Sequence, residues 1–112
     1  MTAKDNSSQI IELLKTMEQG VRHLDRKLAE GKIQENLYLF TDLLEAFSTI
    51  ETQVQENQEL EEPTAELKRA FSLIADSYEE EDYGKVRSYF IFVFKKSFED
   101  WFNKVMAAYN NQ

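Results

Sequence analysis

Any side-chain chemistry in this chain would have to start from His23, its one histidine, or from its many carboxylates. The residues three and four positions from His23 are Gln19, Gly20, Arg26 and Lys27, so on a helix no carboxylate stands beside the ring to orient it as a general base. Lys27, four residues on, shares its face, a pairing compatible with a phosphoryl-accepting imidazole. A carboxylate-bridged metal pair inside a helical bundle needs Glu-x-x-His on two helices, and one histidine cannot supply that. The carboxylate pairs Asp42/Glu45 and Glu62/Glu66 share helical faces, but such pairs are ordinarily solvated. The absence of cysteine removes thiolate chemistry, disulfides and zinc–cysteine sites, and fits a reducing cytoplasm. The three glycines stand alone in unrelated contexts, so there is neither a phosphate-cradling loop nor a nucleophile elbow. The chain reads as a non-enzyme with no metal and no cofactor.

Two surfaces carry more information than any catalytic grouping. No Lys or Arg occurs between Lys32 and Lys68, while nine acidic residues do, including Asp42, Glu45, Glu56 and Glu59. These four are candidates for an acidic face that docks a basic partner, against the alternative of a face that only aids solubility. The second surface lies in Tyr83–Tyr109, which holds nine of the 14 aromatic residues. Tyr89, Phe92 and Phe102 fall off the main apolar line there and are candidates for partner binding, or for a thick core packed against several neighbours. A formal charge of −8 argues against nucleic acid and against anionic membranes as partners. A protein, or a second copy of the chain, is the partner expected.

What must position these residues is a set of helices. Hydrophobic content of 42% and charged content of 30% are those of a globular protein and argue against wholesale disorder. Three Gly and one Pro leave little material for turns, which favours a few long helices. After a polar lead over residues 1–6, Asn6, Ser7 or Ser8 can cap a first helix. Its seam is Ile10, Leu14, Met17, Val21, Leu24 and Leu28, interrupted by Gly20, which is either tolerated or marks a close helix approach. Gly31 ends it. A second helix carries Ile33, Leu37, Phe40, Leu44, Phe47, Ile50 and Val54, with Leu43 beside them. Pro63 suits the first position of a third, whose face is Leu67, Phe71, Ile74 and Tyr78.

In the fourth segment, Val86, Phe90, Phe94, Phe98, Trp101, Val105 and Tyr109 repeat every three or four residues. This predicts a helix despite the β-prone run Tyr89–Phe94. Acidic residues disfavour a helix C-terminus, so Glu79-Glu80-Glu81-Asp82 should contain a break, with Asp82 capping the fourth helix. Residues 28–33 and 78–83 share one apolar spacing across a turn, fifty residues apart. The expectation is an all-α, up-down-up-down antiparallel four-helix bundle made of two αα-hairpins, one domain over residues 1–112, with helices at about 7–30, 33–57, 63–80 and 83–109. Residues 1–9 show no leader pattern and no apolar run reaches ~20 residues, so membrane insertion is not expected.

The stretch Leu13–Ile50, LLKTMEQGVRHLDRKLAEGKIQENLYLFTDLLEAFSTI, resembles the helical hairpin of small bacterial flagellar and type III export chaperones. It is also similar to short uncharacterised helical proteins of Gram-positive bacteria. The resemblance covers about a third of the chain and implies a non-catalytic, adaptor-like or chaperone-like cytoplasmic protein that holds a partner's helix in an apolar groove. It carries no site residues with it. A histidine phosphotransfer bundle using His23 is an alternative, although Leu24-Asp25-Arg26-Lys27-Leu28 departs from the Lys-Gly and small residues that follow the histidine in those domains. A bacteriocin-immunity-type bundle shares the size and architecture.

Overall fold

Two helical hairpins closed by the same left-handed turn make up the structure. The computed structural model describes residues 3–110 and runs α1 (Ala3–Ala29), α2 (Leu37–Val54), α3 (Glu61–Glu79), α4 (Tyr83–Tyr89) and α5 (Lys95–Asn110). A π-helical turn, Phe90–Phe94, joins α4 and α5 into one fourth rod, and 3-10 turns at Gln34–Asn36 and Gln58–Leu60 lead into α2 and α3. The rods alternate in direction, giving the up-down-up-down bundle. At 1.5 Å per residue α1 is about 40 Å long, close to the 43 Å long axis of the molecule. The fourth rod packs between α1 and α3, which leaves α2 diagonally opposite it.

The fifty-residue repeat is real in three dimensions. At the end of α1, Gly31 N–H donates to the Leu28 carbonyl and Lys32 N–H to the Lys27 carbonyl, both at 3.0 Å. At the end of α3, Glu81 N–H donates to Tyr78 and Asp82 N–H to Ser77, at 3.0 and 2.9 Å. Each is a Schellman ending, which satisfies the last carbonyls of a helix through a residue at positive φ. Gly31 takes φ 82° without strain, but Glu81 takes φ 58° with a side chain. Asp82 then caps α4, its side chain accepting from Lys85 N–H at 3.1 Å.

Several boundaries differ from expectation for identifiable reasons. Helix one is already formed at Ala3, so Asn6, Ser7 and Ser8 lie inside it rather than capping it; of the polar lead, Met1 and Thr2 lie outside the described residues. Ser7 is buried, and it shares a surface hollow with Tyr109 from the end of the fourth rod. Helix three begins at Glu61, which makes Pro63 its third residue, still within the turn whose N–H groups lack helical partners. Asn57 caps the preceding 3-10 turn by accepting from Glu59 N–H at 3.0 Å. Leu60, alone in a polar run, is buried there. On α2 the buried residues are Phe40, Leu43, Phe47, Ile50 and Val54, whereas Leu37 is 43% exposed. The 3-10 turn advances ~120° per residue instead of ~100°, so Ile33 and Leu37 are not one α-turn apart.

The fourth rod shows how sequence phase and backbone geometry interlock. Val105 follows Val86 by steps of four, four, four, three and four, about 3.8 residues per turn against 3.6 in an α-helix. A straight α-helix would therefore swing Val105 about 100° off the line of Val86. The π turn absorbs one extra residue, marked by the Lys95 N–H bond to the Phe90 carbonyl. As a result Val86, Phe90, Phe94, Phe98, Trp101 and Val105 are all buried.

Their rings form the centre of the core. Phe94 stacks between Phe90 and Phe98 at 5.2 and 6.0 Å, and meets Phe71 of α3 edge-on at 4.9 Å. Phe47 of α2 touches Phe71 at 5.1 Å and, across the diagonal, Trp101 at 5.3 Å. The indole N–H of Trp101 donates to Thr64 Oγ1 at 3.1 Å inside the core. At the other end, the Tyr78 hydroxyl donates to the Ile33 carbonyl at 2.9 Å and ties the two hairpin tips together. Gly20 marks a close approach of α1 to α2: a Cβ there would come within 2.9 Å of Leu43 Cδ2.

Three outcomes follow. Glu81→Gly should stabilise the fold by ~1 kcal/mol, because a left-handed residue with a side chain carries about that penalty, and urea denaturation measures it. Gly20→Ala should not deliver the ~1 kcal/mol of helix propensity expected of an exposed site, because Leu43 blocks it; in a Leu43→Ala background the same change should stabilise. Finally, burial, with Tyr83 adding to it, pushes the Tyr78 hydroxyl from 10.0 up to about 12. A value raised in the folded state gives a contribution fully present below pH 10 and lost as pH rises from there through about 12. The midpoint of wild type should fall more steeply across that window than that of Tyr78→Phe.

Candidate interaction surface

The π turn that buries one row of rings turns others outward. Within it Phe90 and Phe94 point into the core, whereas Ile91 is 40% and Phe92 78% exposed. A wide apolar turn on one rod cannot be covered from both sides by α1 and α3 alone. Shallow grooves flank it. One, of about 400 Å³, lies toward α3 and is lined by Phe92, Val93 and Lys96 with Pro63 and Glu66 opposite. The other, of about 490 Å³, lies toward α1 and includes Ile91, Lys95, Phe98 and Phe102 with Val21 and Arg22 opposite. Lys96 borders both.

The three aromatic candidates therefore do not form one patch. Phe92 stands on the α3 side, and Phe102 is half-buried on the α1 side, its ring 5.7 Å from that of Phe98. Tyr89 is half-buried and packs against the core. Ile91, which sequence reasoning passed over, belongs to the surface instead; its signal was its place in an apolar run longer than one helical face can bury. Leu37 and Tyr38, the latter 60% exposed, make a second outward apolar pair at the start of α2.

The acidic candidates Asp42, Glu45, Glu56 and Glu59 are all exposed. Along α2 the only cross-helix ion pair recorded among the described residues is Glu51 with Lys68 of α3, at 3.1 Å. Residues 33–66 carry nine acidic groups and no basic one, while the fourth rod carries five basic residues against Glu99 and Asp100. Lys95 pairs with Asp25 of α1 at 3.0 Å, and Lys104 with Asp100 at 3.4 Å. The bundle thus has an acidic diagonal corner at α2 and a basic, aromatic one at the fourth rod.

His23 is half-buried on α1 with its Nδ1 3.2 Å from Arg26 Nη2. Lys27 points toward Glu30, at 3.9 Å. Among the described residues no three of His, Cys, Asp and Glu converge as a metal site would require, every buried side-chain polar atom has a hydrogen-bond partner, and no helix is long and apolar enough to cross a membrane.

Neither the curated proteins nor the solved structures contain a match to this chain. A family model does match, over residues 5–104, a span that reaches into all four rods and includes both outward apolar pairs; the chain belongs to the family described as a domain of unknown function, DUF8042.

Proposed function

We propose that this chain is a non-catalytic protein-interaction module, adaptor-like or chaperone-like, whose contact surface is the outer face of the fourth rod around Ile91 and Phe92. The observation that carries this reading is Phe92, 78% exposed at the π turn of the fourth rod. An exposed Phe is unremarkable alone, but here it lines the groove toward α3 beside exposed Ile91, which lines the groove toward α1. π turns recur at functional sites because the wider turn is less favourable than regular helix and is retained where it serves a contact. Interfaces are likewise anchored by a few large aromatic side chains beside desolvated pockets. The lack of cysteine and the likeness to bacterial chaperone hairpins favour the bacterial cytoplasm as its setting.

The reading gives opposite roles to two aromatic residues of the fourth rod. Phe92→Ser should leave stability within about 0.5 kcal/mol of wild type, as exposed substitutions usually do. Trp101→Ala should lose about 3–5 kcal/mol. In affinity capture from the native cell, partners held by wild type should be missing with Phe92→Ser. Equal capture by both proteins would contradict the assignment.

A further inference from the structure

We propose that helix two of a second copy of this chain occupies the surface of the fourth rod. The proposal rests on the reading of that rod as a contact surface and names its occupant. Among the described residues, the large exposed apolar side chains fall into two adjacent pairs, Leu37–Tyr38 and Ile91–Phe92. They stand on diagonally opposed rods, so one molecule cannot cover one pair with the other.

Charge then selects how two molecules meet. Beyond Tyr38 come Asp42 and Glu45, four and seven residues on, in a segment with no cation. Beyond Phe92 come Lys95 and Lys96, three and four residues on. A two-fold pairing of fourth rods would bring together two rods that each carry five basic residues against two acidic ones, and a pairing of second helices would set acid against acid. Both are disfavoured, since like charges across an interface oppose association. The mixed contact has neither problem.

Direction agrees as well. Helix two and the fourth rod descend the bundle in the same sense. A sideways translation of one copy therefore lays helix two parallel to the fourth rod of the next. With Tyr38 against Phe92, Asp42 lies opposite Lys96, each about 6 Å further along its helix. Lys96 makes no salt bridge within the described residues and is available for this one. Such a contact joins unlike faces, so a pair of copies keeps one free face of each kind and assembly continues beyond two.

Sedimentation velocity tests this at about 0.15 M salt, where the Debye length of ~8 Å screens the repulsion of two acidic molecules. Wild type should shift to faster species as concentration rises. Tyr38→Ser with Asp42→Lys, and Phe92→Ser with Lys96→Glu, should each weaken self-association by at least about tenfold, as loss of an aromatic anchor does, with helicity unchanged by circular dichroism. An equimolar mixture of the two variants has one intact face of each kind, and should give a 1:1 complex that grows no further. A wild type that stays monomeric at every concentration overturns the proposal. So does a helix-two variant that still dimerises, or a mixture that does not pair. If wild type is monomeric yet Phe92→Ser still loses a captured partner, self-association falls and the role of the fourth rod stands. If Phe92→Ser changes neither assembly nor capture, both fall.

Discussion

Everything in this bundle depends on the phase of one row of rings. Phe94 lies against Phe71, Phe71 against Phe47, and Phe47 against Trp101, so the fourth, third and second rods meet through four aromatic side chains. Burial of these large rings supplies much of what holds a core of this size together, and the ring–ring contacts add to it only when the rings face inward together. Trp101 adds a directional constraint, because its N–H must find Thr64 or be buried without a partner. A rotation of the lower fourth rod by one residue would break both contacts of Trp101, with Phe47 and with Thr64, at once. The π turn prevents that rotation, and the outward placement of Ile91 and Phe92 is the other side of the same geometry.

The electrostatics follow a comparable division. Burial is carried almost entirely by apolar residues, and the charge is sorted by helix. The ion pairs that bridge rods, Lys95–Asp25 and Lys68–Glu51, are solvent-exposed and contribute little, on the order of 0–1 kcal/mol each. They do not need the strong asymmetry between helix two and the fourth rod. That asymmetry leaves the bundle with two dissimilar faces, each carrying an exposed apolar pair. It is a pattern suited to choosing a partner and its orientation more than to holding one molecule together.

Much of this was legible in the sequence, because seams of three and four specify helices and their inward faces directly. The six seam residues of helix one, the face Leu67–Phe71–Ile74–Tyr78 and the buried row of the fourth rod are as the periodicity predicts. The repeat of residues 28–33 at 78–83 was visible as spacing and proved to be a shared Schellman ending, with Glu81 in the place of Gly31. Leu37 was misread because a 3-10 turn shifts phase without any change of composition. Leu60 was missed because one apolar residue in a polar run carries no period. The π turn did leave a trace, the three consecutive steps of four from Val86 to Phe98, which no straight α-helix can keep on one line. The site was legible only in part: the surplus of aromatic residues pointed to Phe92, but which surplus residues face out depends on that turn, and Tyr89 and Phe102 settled half inside.

The central claim is that the fourth rod holds one residue more than its core-facing row needs, at the turn that exposes Phe92. Deleting Phe92 tests it most directly. The steps from Val86 to Val105 then become four, three, four, three and four, or about 3.6 per turn, and a regular α-helix can bury the same row. The deletion protein should unfold cooperatively at a midpoint no lower than wild type, with Trp101 fluorescence still characteristic of a buried indole. Deleting Glu99, outside the turn, leaves steps of four, four, four, two and four, which no regular helix keeps on one line, and should unfold the domain. A protein lacking Phe92 that loses cooperative unfolding and exposes Trp101 would contradict the account.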